Sequence, residues 1–118
     1  RADLAGATAA LDVATAQYND AVVTAARQVA DAIAQVRATD TARLSQRQVT
    51  AGFAETNRLN TIRVASGLNS RLDLVDNDVR LLDAELADAS LSIDALAARA
   101  QLATALGGGF DPVQDAAR

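Results

Sequence analysis

The sequence predicts an all-α chain that folds as one long antiparallel helical hairpin. Its 118 residues are 50% hydrophobic but only 3% aromatic, so burial of apolar surface depends on alanine, leucine and valine. Strong helix formers dominate, and the single proline, Pro112, lies near the C-terminal end. Only the tract around Gly67 has turn chemistry between two long segments. We therefore expect one domain over residues 1–118, with a first helix at 3–65, a tip at 66–70, a second helix at 71–106 and a tail at 107–118.

The first segment, residues 3–65, is expected to be one uninterrupted helix. It contains no proline and only two glycines, Gly6 and Gly52. At a rise of 1.5 Å per residue, about 63 residues make a helix about 95 Å long. A rod of this length needs partner helices, and its apolar residues recur at the spacing of a coiled coil. They are Leu4, Leu11, Tyr18, Val22, Ala25, Val29, Ile33 and Val36.

The apolar pattern weakens from Thr39 to Gln48. This stretch is either a polar helix surface or a loop that divides the segment into two shorter helices. It contains no glycine or proline, and a loop would need turn chemistry that these residues do not supply. The sequence therefore favours a polar helix surface.

Residues 67 to 73 carry the signals that end one helix and begin the next. Gly67 can adopt the left-handed conformation found just after a helix C-cap, and Leu68 then falls where a Schellman motif packs it on Ile62. Ser70 is a favourable N-cap, and Asp73 three residues later completes a capping box. The tract therefore predicts a tight turn between two antiparallel helices.

The second helix, residues 71–106, has the strongest apolar periodicity in the chain. Its main stripe predicts a coiled-coil seam and consists of Leu72, Val75, Val79, Leu82, Leu86, Ala89, Ile93, Leu96, Ala100 and Ala103. A weaker stripe, displaced by about 130°, consists of Leu74, Leu81, Asp88, Ala95 and Leu102. Two stripes predict neighbours on two sides, as in a closed wall of helices. On a remaining face, a polar line begins at the tip with Asp73, Asp76, Arg80 and Asp83.

The composition argues against several classes of function. Cysteine and histidine are absent, which removes disulfides, thiolate chemistry, the usual zinc ligands and the usual general base. No cofactor is implied, no catalytic constellation is visible, and we expect no enzyme. Asp73, Asp76 and Asp78 lie on one regular helix, which cannot wrap oxygen ligands around a cation, so no metal site is expected. The net charge of −4 and the lack of aromatic residues among the arginines argue against nucleic-acid binding.

The turn and its flanks resemble one known family. The tract Gly67-Leu68-Asn69-Ser70-Arg71-Leu72-Asp73-Leu74-Val75-Asp76 is similar to the Gly-Leu-x-x-x-Leu-Asp-Val-Leu-Asp segment of the outer membrane factor family of efflux channels, the TolC-like proteins. There the segment joins the two helices of the C-terminal periplasmic hairpin. Leu106-Gly107-Gly108-Gly109-Phe110 resembles the Leu-Gly-Gly-Gly-aromatic ending of the NodT-type lipoprotein branch. The chain begins without a methionine or signal peptide, so we expect a piece of a longer protein.

The resemblance implies a fold and a set of partners. It implies a homotrimer whose twelve helices form a periplasmic tunnel, continuous with an outer-membrane β-barrel whose strands are absent from this chain. The parent protein would sit in the outer membrane, with this segment in the periplasm. It would work in a tripartite efflux pump with a periplasmic adaptor and an inner-membrane transporter of the resistance-nodulation-division type. The isolated fragment would leave faces bare and is expected to self-associate, most simply as an antiparallel four-helix bundle.

The resemblance also assigns roles at the tip. It places Asp73 and Asp76 at the constriction of the tunnel entrance, where two carboxylates at 4 Å interact by about 4 kcal/mol at an effective dielectric of about 20. A structural role accounts for the same residues, because Asp73 fits a capping box and Asp76 can pair with Arg80.

The resemblance also implies roles for two further sets of tip residues. The turn residues Gly67, Leu68, Asn69 and Ser70 would contact the adaptor, although turn formation alone also explains them. Arg63, Arg71 and Arg80 are the cations placed to form ion pairs near the tip, within one hairpin or between neighbours.

One alternative stays open at this stage. A soluble coiled-coil interaction or scaffold module would also explain the heptad spacing and the turn. It would not explain the Leu72-Asp73-Leu74-Val75-Asp76 tract together with the triple-glycine ending.

Overall fold

The computed structural model describes residues 1–107 and consists of two long helices in that range. Helix α1 spans Ala2–Ala65 and helix α2 spans Arg71–Gly107, with no strand among the described residues. The all-α helical hairpin predicted from the sequence is confirmed, and the helix ends agree with the expected bounds to within one residue. The end of the tail, including Gly108, Gly109 and Phe110, lies outside the described residues. The assignment of residues 1–118 to a single domain stays a prediction.

The described chain divides into two compact units. One contains residues 1–34 together with the C-terminal end of α2 from Ala100, and the other contains residues 35–99. The second unit contains the tip. It also contains every hydrogen bond among residues 1–107 that joins a side chain of one helix to the other helix. The candidate site lies within residues 35–99.

Helix α1 continues through the stretch whose apolar pattern weakens. Residues 39–48 are α-helical, so the loop alternative is wrong. The expectation of a polar helix surface is only half right, because Thr39 is 6% exposed. Its hydroxyl donates to the carbonyls of Gln35 and Val36 within the same helix, at 3.0 and 2.9 Å. Local hydrogen bonding thus allows a polar side chain to be buried at this position.

The turn after α1 is a Schellman motif. Gly67 has a φ of 73°, the left-handed conformation that its lack of a Cβ makes accessible. The Leu68 amide donates to the Arg63 carbonyl at 2.9 Å, and the Gly67 amide donates to the Val64 carbonyl at 3.1 Å. These are the two hydrogen bonds that define the motif. The described residues cover little of the predicted apolar pair, since Leu68 is 75% and Ile62 is 52% exposed.

The seam between α1 and α2 follows unbroken three-four spacing on both helices. Within residues 35–99, the side chains shielded at this spacing are Val36, Thr39, Arg43, Gln46, Thr50, Phe53, Asn57, Asn60 and Val64 on α1, and Leu74, Asn77, Leu81, Ala84, Asp88, Leu91, Ala95 and Ala98 on α2. The most buried of them are small, with Ala84 at 6%, Ala95 at 1% and Ala98 at 3% exposure. Small residues at these positions allow the two helices to approach closely.

The stripe expected to form the seam of α2 faces away from α1. We call it the outer face of α2, defined by Leu72, Val75, Val79, Leu82, Leu86, Ala89, Ile93 and Leu96. Its large members are 53–77% exposed. This stripe is therefore not the seam within the hairpin, because α1 covers the weaker stripe that contains Asp88. Apolar periodicity identifies faces that need a partner, but it does not say which partner covers each of them.

In the other unit, the N-terminal part of α1 has no cover. All of residues 1–28 are exposed, including Leu4 at 74%, Leu11 at 65% and Tyr18 at 69%. These residues continue the same three-four spacing that Val36 and its successors follow in the seam. The first turns of α1 therefore have an apolar stripe without a partner among the described residues.

Candidate functional site

Asp73 lies at the start of α2 and is held by a capping box. The Ser70 amide and the Ser70 hydroxyl both donate to Asp73 Oδ2, at 3.3 and 3.0 Å, and the Asp73 amide donates to Ser70 Oγ at 3.3 Å. These bonds satisfy amide groups that the first turn of a helix leaves free. They use one carboxylate oxygen, and Asp73 remains exposed. The capping residue can thus also present negative charge at the tip.

Asp76 lies one turn further along α2 and pairs with Arg80. Arg80 Nε donates to Asp76 Oδ2 at 3.0 Å, and both side chains are at least 60% exposed. An exposed pair of this spacing contributes about 0.3–0.5 kcal/mol to helix stability. The pair contributes little to stability, so stability alone does not account for an aspartate at this position.

Four charged side chains form the polar line expected on α2. Asp73, Asp76, Arg80 and Asp83 are all exposed and follow a spacing of three and four residues. Their face lies about 100° from the seam and differs from the outer face of α2. Beside it lies an open groove of about 340 Å³, lined by Gln46, Val49, Phe53, Arg80, Asp83 and Ala84. The groove is open to solvent and does not enclose a ligand as binding pockets usually do.

Asparagine side chains connect the two helices next to the tip. Asn57 on α1 donates to Asp78 on α2, and Asn69 in the turn donates to Asn60 Oδ1 at 3.2 Å. Asn69, one of the residues expected to contact the adaptor, therefore has its amide directed back at α1. These contacts orient the tip relative to the first turns of α2.

Of the three arginines expected to form ion pairs at the tip, only Arg80 does so within the described hairpin. The ion pairs among residues 1–107 are Arg47–Asp88, Arg58–Glu55, Arg80–Asp76 and Arg99–Asp40. Arg63 and Arg71 belong to none of them. Their pairing with a neighbouring hairpin stays a prediction.

Arg58 and Glu55 form the tightest of these pairs. The Arg58 guanidinium donates two hydrogen bonds to the Glu55 carboxylate, at 2.9 and 2.7 Å. These hydrogen bonds lower the pKa of Glu55 and raise the pKa of Arg58. Both groups are exposed, so solvent screens the pair.

The remaining tip residues leave room for a close approach. A Cβ placed on Gly67 would meet no atom within 4 Å, and Leu68 is 75% exposed. Ser66 and Ser70 are exposed as well. Contact between the adaptor and Gly67, Leu68, Asn69 and Ser70 stays a prediction.

The sequence analysis missed a polar cluster in the middle of the seam. Gln46 Nε2 and Thr50 Oγ1 donate across the seam to the Ala84 carbonyl, at 3.1 and 3.3 Å. Nearby, Arg43 Nε and Asp88 Oδ1 are buried without a hydrogen-bond partner among residues 1–107. The sequence does contain a signal for this cluster. The apolar pattern of α1 weakens at residues 39–48, and Asp88 interrupts the weaker apolar stripe of α2 at a position that faces this stretch.

Residues 1–107 lack two features that their sequence could have produced. None of the helices there has a stretch long and apolar enough to cross a membrane. In the same range, no three acidic side chains are grouped so that they could hold a metal ion.

The described structure belongs to the class of long antiparallel helical hairpins. Its tip is acidic and capped, and its exposed apolar surface can pack against further helices. The family model of the outer membrane efflux proteins matches residues 1–108. The chain therefore belongs to the outer membrane efflux protein family, which confirms the resemblance of the tip tract. No curated protein and no solved structure gives a significant match. Membership makes the chain a component of an outer membrane efflux channel, and the family is one of transport proteins.

Proposed function

We propose that this hairpin forms part of the wall and the entrance of the periplasmic tunnel in a tripartite efflux pump. The observation that carries the proposal is the outer face of α2, which residues 1–107 leave bare. Leu72, Leu86 and Ile93 on this face are 77%, 61% and 68% exposed. A two-helix hairpin needs one apolar face per helix, whereas a helix in a closed wall needs two.

The two apolar faces of α2 require two neighbouring helices, which a closed wall of helices provides. Twelve helices are what three protomers with two such hairpins each supply. The trimer of the proposal is therefore compatible with the positions of the apolar residues on α2.

At the entrance, Asp73 and Asp76 are proposed to line the constriction. Threefold symmetry turns each aspartate into a ring of three carboxylates, and such rings attract cations. The capping box supports this role for Asp73, because it fixes the side chain at the first turn of α2 while leaving it exposed. Asp76 is the stronger candidate for this role, because its pair with Arg80 is weak and exposed and gives it little structural purpose.

The partners in this proposal are a periplasmic adaptor and an inner-membrane transporter. The turn from Gly67 to Ser70 is the proposed adaptor contact, and the exposure of Gly67, Leu68 and Ser70 supports a close approach. The proposed location is the periplasm, in a parent protein anchored in the outer membrane.

The test is the conductance of the full-length channel in a planar bilayer. The Asp73→Ala, Asp76→Ala double variant is expected to change conductance and to reduce block by multivalent cations, because both carboxylate rings are lost. Asp83→Ala is the matched control, since Asp83 lies on the same polar line but further from the tip. Unchanged cation block in the double variant, or an equal effect of Asp83→Ala, would contradict the role of the two aspartates at the constriction.

A further inference from the structure

Helix α1 packs on the less apolar of the two faces of α2. The seam face of α2 includes Asn77 and Asp88, whereas the large side chains of its outer face are leucine, valine and isoleucine, 53–77% exposed. Burial of apolar surface alone would favour the opposite choice, because its contribution grows with the apolar area removed from water. Another interaction must therefore select the face on which α1 packs.

Two hydrogen bonds across the seam depend on a small residue of α2. Gln46 Nε2 and Thr50 Oγ1 donate to the Ala84 carbonyl, at 3.1 and 3.3 Å. A helical carbonyl accepts from the amide four residues later, and its second lone pair can accept again where no long side chain covers it. Ala84 has only a methyl group, so its carbonyl stays within reach of α1.

The outer face of α2 would not offer Gln46 this acceptor. At the level of Ala84, that face presents Leu82 and Leu86. Their branched side chains would stand between α1 and the backbone of α2, and the Gln46 amide would be buried without a hydrogen bond. A buried amide without a partner costs about 1–3 kcal/mol. The polar side chains of α1 therefore penalise packing on the more apolar face.

Other polar groups of the same cluster are not fully hydrogen-bonded. Arg43 Nε and Asp88 Oδ1 are buried without a hydrogen-bond partner among residues 1–107, and Arg47 Nε lies 4.0 Å from Asp88 Oδ1. In coiled coils, buried polar groups of this kind lower stability but fix the register and the partner. Specificity of pairing therefore accounts for the cluster better than stability does.

We infer that Gln46 and Thr50 select the face of α2 on which α1 packs. They hold α1 on the face of Ala84 and disfavour the outer face, although the outer face is the more apolar. This inference concerns pairing within one chain, which goes beyond the proposed tunnel role. Its test is made on the 118-residue chain, so it can fail while the conductance result stands.

Pairs of introduced cysteines report which face of α2 lies against α1, because the chain has no cysteine of its own. Thr39 lies eleven residues, or about three turns, before Thr50 on α1. Ala95 lies equally far after Ala84 on α2, so Thr39 and Ala95 face each other across the seam. Ile93 lies about 200° around α2 from Ala95. A disulfide requires Cα atoms within about 7 Å, so it distinguishes the two faces.

The seam pair is Thr39→Cys with Ala95→Cys, and the outer pair is Thr39→Cys with Ile93→Cys. Each pair is oxidised in the parent chain, in a test variant and in a control variant. Non-reducing gels separate disulfides within one chain from those between chains, and circular dichroism records helix content.

The test variant is Gln46→Leu with Thr50→Val, which removes both donors to the Ala84 carbonyl. The matched control is Gln48→Leu with Thr41→Val, which makes the same changes at exposed positions off the seam. In the parent chain and the control, the seam pair should form its disulfide at least tenfold faster than the outer pair. In the test variant, the outer pair should accelerate at least tenfold relative to the seam pair, because α2 then turns its more apolar face to α1.

Two results would overturn the inference. An unchanged preference for the seam pair in the test variant would show that Gln46 and Thr50 do not select the face. An equal change in the control would assign the effect to added apolar surface anywhere on α1. If the test variant loses helix content, Gln46→Leu alone repeats the comparison. The single variants Ala95→Cys and Ile93→Cys give a second readout, since only loss of face selection makes the Ala95→Cys thiol more reactive and the Ile93→Cys thiol less reactive.

Discussion

Replacing Asp73 with alanine should destabilise the isolated hairpin, whereas replacing Asp76 with alanine should not. Asp73 Oδ2 accepts hydrogen bonds from the amide and the hydroxyl of Ser70, at 3.3 and 3.0 Å, and its charge lies at the N-terminus of α2. Loss of a capping interaction and of a favourable charge at a helix start costs about 1 kcal/mol together. The Asp76 carboxylate has only its exposed pair with Arg80, which contributes about 0.3–0.5 kcal/mol.

The assay is thermal and urea unfolding followed by circular dichroism. All proteins are compared at one concentration, because self-association shifts apparent stability. For a domain of this size, about 1 kcal/mol corresponds to a fall in Tm of about 4 °C. Ser70→Ala should cost a similar amount, and Asp73→Ala should add little in the Ser70→Ala background, because the two side chains form one unit. Equal destabilisation by Asp73→Ala and Asp76→Ala, or full additivity with Ser70→Ala, would refute the capping argument.

This comparison also separates stability from conduction in the full-length channel. Asp73→Asn removes the charge but keeps an oxygen that can accept from Ser70, so it should retain most of the capping energy. If Asp73→Asn and Asp76→Asn alter cation block while the helix ends stay intact, the effect belongs to the charge at the entrance. If only Asp73→Ala alters block, loss of the helix cap is the simpler cause.

Two further predictions concern the seam. Ala84→Leu should lower the free energy of unfolding by about 1–3 kcal/mol, because Ala84 is 6% exposed and a larger side chain would overpack the seam. The control is Ala89→Leu on the outer face of α2, which should have little effect on the free energy of unfolding. Both are measured by urea unfolding of the monomer. Arg43→Met should raise the free energy of unfolding by about 1 kcal/mol, because Arg43 Nε is buried without an acceptor in the described part of the chain. The exposed substitution Arg37→Met should be neutral by the same assay, and a destabilised Arg43→Met variant would show that Arg43 has a favourable partner.

The local signals in the sequence predicted the hairpin well. The helix ends followed from short-range chemistry, because a left-handed glycine and a Ser-x-x-Asp box act within a few residues of the chain. Continuity of α1 through residues 39–48 followed from the absence of glycine and proline. In each case the outcome depends on neighbours in sequence, which the sequence shows directly.

The pairing of faces could not be predicted in the same way. Leu72, Val75 and Val79 form the most apolar stripe, yet α1 packs against the face of Leu74, Asn77 and Leu81. Both faces have three-four spacing, so periodicity alone gives no preference between a partner in the same chain and a partner outside it. The polar cluster around Gln46 and Asp88 could not be predicted either, because polar residues usually face solvent.

The distribution of apolar residues has a consequence for the stability of the hairpin. Near the tip, the seam contains Asn57, Asn60 and Asn77, while the largest apolar side chains of α2 lie on its outer face and are 53–77% exposed. Covering the exposed part of a leucine or valine contributes about 1 kcal/mol, so a partner on five such residues would contribute about 5 kcal/mol before the cost of association. This gain is comparable to the whole stability of a small domain, which is about 5–15 kcal/mol. A neighbouring helix on the outer face of α2 would therefore add substantially to the stability of the tip half of the hairpin.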